Sequence, residues 1–92
     1  MDEEIKEILI ILQEECAEAI VDISKCFRFG PDQVWQKNDP TNIQRLQGEL
    51  GDIQAMIELL VNKNVGVTNS GIAEAKLKKF EKLKSWSNLT IK

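Results

Sequence analysis

No histidine occurs in the 92 residues. That absence removes Ser–His and Cys–His nucleophilic schemes, most zinc sites and any imidazole general base. It also excludes ferritin-like di-iron sites, which draw on a Glu-x-x-His motif. Cysteine is limited to Cys16 and Cys26. Ten positions along a helix separate them by about 15 Å, too far to bridge, so both read as buried thiols in a reducing compartment. No apolar run approaches the roughly 20 residues that a membrane span needs. The opening "MDEEIKE" is acidic where a signal peptide carries positive charge. The expected location is therefore the cytoplasm, without a membrane partner. A net charge of −3 leaves no general excess of basic side chains to displace counterions, which argues against nucleic acid as a partner.

What the chain does have is apolar periodicity. The hydrophobic fraction is 42%, which implies a core rather than disorder. The length implies a single domain over residues 1–92. A domain this small buries little surface alone, so part of its core is expected at a subunit interface. Charge is unevenly spread: Met1 to Asp22 holds eight acids and one lysine, while Ala75 to Lys84 holds five lysines and one glutamate.

The spacing predicts an all-α fold, a bundle of three main helices per chain completed by oligomerisation. Helix one spans about residues 2–28, with Ile5, Ile8, Leu9, Leu12, Cys16, Ala19, Ile20, Ile23 and Phe27 at steps of three and four. "FGPD" ends it. After the loop 30–39, Asp39 reads as an N-cap and Pro40 as the first residue of a helix reaching about residue 63. Its stripe is Ile43, Leu46, Leu50, Ile53, Ile57, Leu60 and Val61. Gly48 and Gly51 each cost that helix about 1 kcal/mol relative to alanine, which implies close backbone approach, for packing or for function. A third helix spans about residues 71–85, with Ile72, Ala73, Leu77, Phe80, Leu83 and Trp86 facing inward. Residues 86–92 form a loose tail.

Two acid pairs share one spacing. Glu15 and Glu18 stand at i, i+3 in "ECAE", and Glu49 and Asp52 stand at i, i+3 in "ELGD". At about 100° per residue, each pair lies beside the apolar stripe of its helix rather than opposite it. If the stripes pack together, the pairs meet at the edge of the seam. Two readings follow: two solvated faces, or a cage of four carboxylates. Converging carboxylates raise one another's pKa and oppose folding unless a cation compensates. Mg²⁺ suits an all-oxygen cage and keeps water ligands that a phosphate can displace.

Both motifs, in their helical setting, resemble the MazG-like branch of the all-α nucleoside triphosphate pyrophosphatase superfamily, whose signature is E-x-x-E followed by E-x-x-D. Glu14 and Ala19 fit the same pattern, and the likeness covers roughly residues 5–84. The intervening residues 19–48 form a longer gap than is usual in the family. The resemblance implies a Mg²⁺-dependent hydrolase, with Mn²⁺ as a substitute, that converts a nucleoside triphosphate into the monophosphate and pyrophosphate. It implies a homo-oligomer, dimer or tetramer. Carried over by motif position, Glu15, Glu18, Glu49 and Asp52 are the catalytic metal ligands, one glutamate being available to orient or deprotonate the attacking water. Lys25, Arg28, Lys79 and Lys82 are candidates for phosphate binding, against the alternative that the helix-three lysines of "AKLKKFEKLK" form a solvated basic face. Phe29, Trp35 and Asn38 are candidates for the base pocket, against the alternative that Trp35 packs the loop onto the helices. Phosphoribosyl-ATP pyrophosphatase and a non-catalytic helical oligomerisation module are the competing expectations.

Overall fold

Asp2 opens the first helix. Its carboxylate accepts the Ile5 N–H at 2.9 Å, and Glu3 and Glu4 follow in the first turn, where the helix dipole favours negative charge. The computed structural model describes residues 1–91, and α1 runs over Glu3–Phe29. It stops at Gly30, whose φ of 96° suits glycine and whose N–H donates to the Cys26 carbonyl at 3.0 Å. The second helix, α2, covers Asn42–Asn62, and the third, α3, covers Asn69–Trp86. The fold is all-helical, with no strand among the described residues. Among these residues no helix is long and apolar enough to cross a membrane. Lys92, the last residue of the expected loose tail, lies outside them.

The start of α2 differs from the expectation at Asp39 and Pro40. Thr41 is the N-cap, and it forms a reciprocal capping box with Gln44: the Gln44 N–H donates to Thr41 Oγ1, and the Thr41 N–H donates to Gln44 Oε1 at 2.8 Å. Asp39 is used elsewhere, its carboxylate accepting the Gln36 N–H at 3.0 Å. The preceding loop supplies the remaining acceptors. The Asn42 and Ile43 N–H groups donate to the Gln33 and Pro31 carbonyls at 3.2 and 3.0 Å. Asn42 is 1% exposed, and its amide donates to the Gly30 carbonyl and to Gln33 Oε1, both at 2.9 Å. One buried side chain thus ties the end of α1 to the start of α2.

The helices α1 and α2 pack as an antiparallel hairpin. Lys63 near its open end pairs with Glu4, and this carboxylate holds the Lys63 ammonium above 10.5. The shielded residues of α1 include Ile5, Ile8, Leu12, Glu15, Ala19, Asp22 and Cys26, at alternating steps of three and four, with Ile11 and Lys25 beside them. Those of α2 include Asn42, Leu46, Glu49, Ile53, Met56 and Leu60, at steps of four and three that the C-cap Lys63 continues, with Arg45, Ile57 and Val61 beside them. This is the 3.5-residue repeat of a coiled-coil seam.

The seam takes only half of the expected stripes. On α1, Leu9, Cys16, Ile20, Ile23 and Phe27 are exposed, Ile20 by 68% and Phe27 by 87%. Ile43 and Leu50 on α2 are exposed as well. The buried faces lie about 80° away from these residues, because apolar side chains cover a wider arc than one neighbour can bury. In an antiparallel pair the two leftover arcs fall on the same side of the hairpin, so they form one continuous apolar face. The third helix departs further from a bundle. Ile72, Leu77, Phe80 and Trp86 are exposed, Leu83 is half-buried, and α3 contains no buried residue. The radius of gyration is 16.2 Å, against about 12 Å for a compact domain of this length.

Neither Gly48 nor Gly51 is required by contacts within the chain, since a Cβ at either meets nothing within 4 Å. The replacement Gly51→Ala is expected to stabilise the fold by about 1 kcal/mol in urea unfolding, through helix propensity and the unfolded chain's entropy. Destabilisation instead would place a second surface against that backbone.

Candidate functional site

Helix register decides which acids meet. Glu15 and Glu49 both occupy seam positions, in the middle stretch of a repeat whose nearest seam neighbours are Leu12, Ala19, Leu46 and Ile53. They face each other across the α1–α2 contact. Asp52, one turn after Glu49, joins them: one carboxylate oxygen from each of Glu15, Glu49 and Asp52 lies within 4.8 Å of the others. Glu15 and Glu49 are half-buried and Asp52 is exposed. Glu18 lies at the rim. It lines, with Asp22, Lys25, Arg45, Gly48, Glu49 and Asp52, a cleft of about 300 Å³. The two motif pairs therefore converge, and their place is within the seam and on its polar edge, on the side away from the leftover apolar face.

The clustered carboxyls act on one another. The Glu49 carboxyl is pushed up from 4.5 to about 7. The largest cause is the Glu15 carboxyl within hydrogen-bonding reach; burial follows, then the charges of Glu15, Asp52 and Glu18. One oxygen of Glu49, Oε2, is buried and has no hydrogen-bond partner. An acceptor left in this way costs free energy until a proton or cation reaches it. All three clustered side chains offer carboxylate oxygen, the donor that hard divalent cations prefer.

The structure adds two charged residues to the cleft beyond the expected set. Asp22 is only 8% exposed and makes no hydrogen bond or ion pair among the described residues. Arg45 is half-buried, and its Nε is buried without an acceptor. The seven-residue step from Glu15 to Asp22 was the available signal, since it keeps both on one seam. Arg45 sits four before Glu49, on the flank that Asp52 also occupies.

The other expected site residues are dispersed. Of the four basic candidates, Lys25 lines the cleft and Arg28, Lys79 and Lys82 do not. The Arg28 guanidinium sits 5.0 Å over the Phe29 ring, and the Lys79 ammonium sits 4.9 Å over Trp86 on α3. Phe29 and Trp35 meet edge to face at 5.2 Å, so the loop's tryptophan packs against the end of α1. Asn38 takes a left-handed turn conformation, with φ 73°. Phe29, Trp35 and Asn38 are not part of the acid-lined cleft.

No protein-family model, no curated protein and no solved structure matches this chain.

Between pH 4.5 and about 7 the folded chain binds more protons at Glu49 than the unfolded chain does. Its contribution to stability is therefore full below that window and lost as pH rises through it. Wild-type protein is expected to lose stability relative to Glu49→Gln over this range, in metal-free unfolding titrations. A difference that stays flat with pH would remove the Glu15–Glu49 coupling.

Proposed function

We propose that this chain is a Mg²⁺-dependent nucleoside triphosphate pyrophosphohydrolase of the MazG-like type, releasing pyrophosphate and a nucleoside monophosphate. The observation that carries the reading is the pair of glutamates, Glu15 and Glu49, set in seam positions where apolar residues would stabilise the hairpin more. Charges of one sign in such places oppose folding, so they are explained by what they hold.

The donor set fits a hard divalent cation, and the orphaned Oε2 of Glu49 is the acceptor such a cation would satisfy. Glu15, Glu49 and Asp52 would hold it, with Glu18 at the rim. A cation bound there supplies Lewis acidity toward phosphoryl oxygens and water. The chain's own part is positional and electrostatic. Glu49, its carboxyl pushed up to about 7 beside Glu15, would give up its proton to admit a cation, so uptake would be linked to pH. Lys25 stands in the same cleft to meet an anionic ligand.

The leftover apolar face supports a second part of the reading: a homo-oligomer, dimer or tetramer. Leu9, Cys16, Ile20, Ile23 and Phe27 continue into Ile43 and Leu50 without a charged residue among them. Two copies meeting there bury that surface and leave both acid clefts open. A non-catalytic oligomerisation module would use the same face. It would not account for the seam glutamates.

Purified protein with Mg²⁺ is expected to release pyrophosphate from one or more members of a panel of canonical and modified (d)NTPs and phosphoribosyl-ATP. Excess EDTA should abolish the release, and Glu49→Gln should lower kcat at least about a hundredfold while the helical circular dichroism persists. Undiminished turnover in EDTA or in that variant would sink the site. For the assembly, Ile20→Glu is expected to lower the mass measured by light scattering; an unchanged mass would assign the interface elsewhere.

A further inference from the structure

The acid cleft contains cationic groups that a bare metal site would not need. Arg45 and Lys25 line it together with Glu18, Asp22, Glu49 and Asp52. Four carboxylates surround these two cations, yet neither forms an ion pair among the described residues. The ion pairs that do form are Lys6–Glu3, Lys63–Glu4, Lys78–Glu74 and Lys84–Glu81, all away from the cleft. Arg45 is therefore not spent on neutralising Glu49, four residues along its own helix, or Asp22 across the seam. Its Nε–H is out of contact with solvent and has no acceptor. A guanidinium N–H buried in this way costs free energy that an incoming acceptor would recover.

We infer that Arg45 is a direct contact to the phosphoryl oxygens of the ligand, with Lys25 as its partner in the cleft. The inference rests on the pyrophosphohydrolase reading for the identity of the anion, and it adds a residue that neither acid motif contains. Two properties of the side chain favour this role. Its planar fork presents Nε–H and a terminal N–H in parallel, which matches two oxygens of one phosphate. It also stands within the same cleft as Glu49 and Asp52, so a ligand carrying both a divalent cation and phosphate can satisfy acids and bases together. A free cation would leave Arg45 unpaired and repelled, and a free phosphate would face four carboxylates. The cleft's mixed charge thus selects a metal-complexed di- or triphosphate over either component alone.

Isothermal titration tests this with two probes, MgCl₂ alone and inorganic tripolyphosphate at saturating Mg²⁺. The variant Arg45→Met is expected to bind Mg²⁺ at least as tightly as wild type, because a repelling charge is gone. It should bind Mg–tripolyphosphate roughly ten- to a hundredfold more weakly, the loss expected for a charge-assisted hydrogen bond. Arg45→Lys should recover part of the affinity, keeping charge without the fork. In wild-type protein, the Arg45 Nε–H resonance, assigned by its loss in Arg45→Lys, should move downfield on adding Mg–tripolyphosphate and stay in place with Mg²⁺ alone. That measurement does not depend on the folding of Arg45→Met. Wild-type tripolyphosphate affinity in a folded Arg45→Met that still binds Mg²⁺, or an unmoved resonance in a wild-type complex, overturns the role of Arg45 and leaves the metal site standing. Wild-type protein that binds no Mg²⁺ overturns the underlying reading, and this inference falls with it.

Discussion

The contact between α1 and α2 is the constraint on which everything else turns, because an alternation of three and four puts two glutamates where a hairpin wants hydrocarbon. Ile8, Ala19 and Leu60 are its buried apolar residues. Glu15 and Glu49 stand between them, and the Glu15 carboxyl within hydrogen-bonding reach, then burial, then like charge push the Glu49 carboxyl up to about 7. A fold with so little buried apolar surface has few kcal/mol to set against such a defect. The defect is sited on the α1–α2 contact itself, where one carboxylate oxygen each of Glu15, Glu49 and Asp52 lies within 4.8 Å of the others.

Register in such a seam needs an anchor, since sliding one helix by a turn would separate Glu15 from Glu49. Asn42 is that anchor. Its buried amide binds the Gly30 carbonyl and Gln33, and the loop carbonyls of Gln33 and Pro31 receive the first N–H groups of α2. Polar residues buried at seam positions are well suited to fixing register, because a slip leaves them without partners. At the far end, Lys63 on Glu4 marks the same alignment. The long loop between the acid motifs thus serves the site at a distance, by setting where α2 begins.

The hairpin has two unlike edges. One edge carries the acids together with Lys25 and Arg45; the other carries Leu9, Ile20, Ile23, Phe27, Ile43 and Leu50 in the open. The third helix presents apolar and lysine-rich surfaces and buries no residue. An isolated helix of its length is marginal in water, so its stability depends on packing beyond the α1–α2 pair. The separation of edges means that apolar association and ligand access need not compete for the same surface.

Much of this could be read from residue order alone. Helix type and number followed from apolar periodicity, and the first helix from Asp2 and Gly30, because capping and backbone preference act within a few residues. The equal i, i+3 spacing of Glu15–Glu18 and Glu49–Asp52 was legible for the same reason. The choice of Thr41 over Asp39 as a cap was not, since it depended on which loop carbonyls and side chains were free. Nor was the half-burial of Glu15 while Cys16 and Ile20 stay exposed. The apolar arc on α1 spans more than one face, and only a neighbouring helix selects which part is covered. Asp22 shares the face of Glu15 through its seven-residue step, but tertiary structure brought Arg45 of the other helix into the same cleft, because residues on different helices become neighbours through register, which local spacing cannot specify.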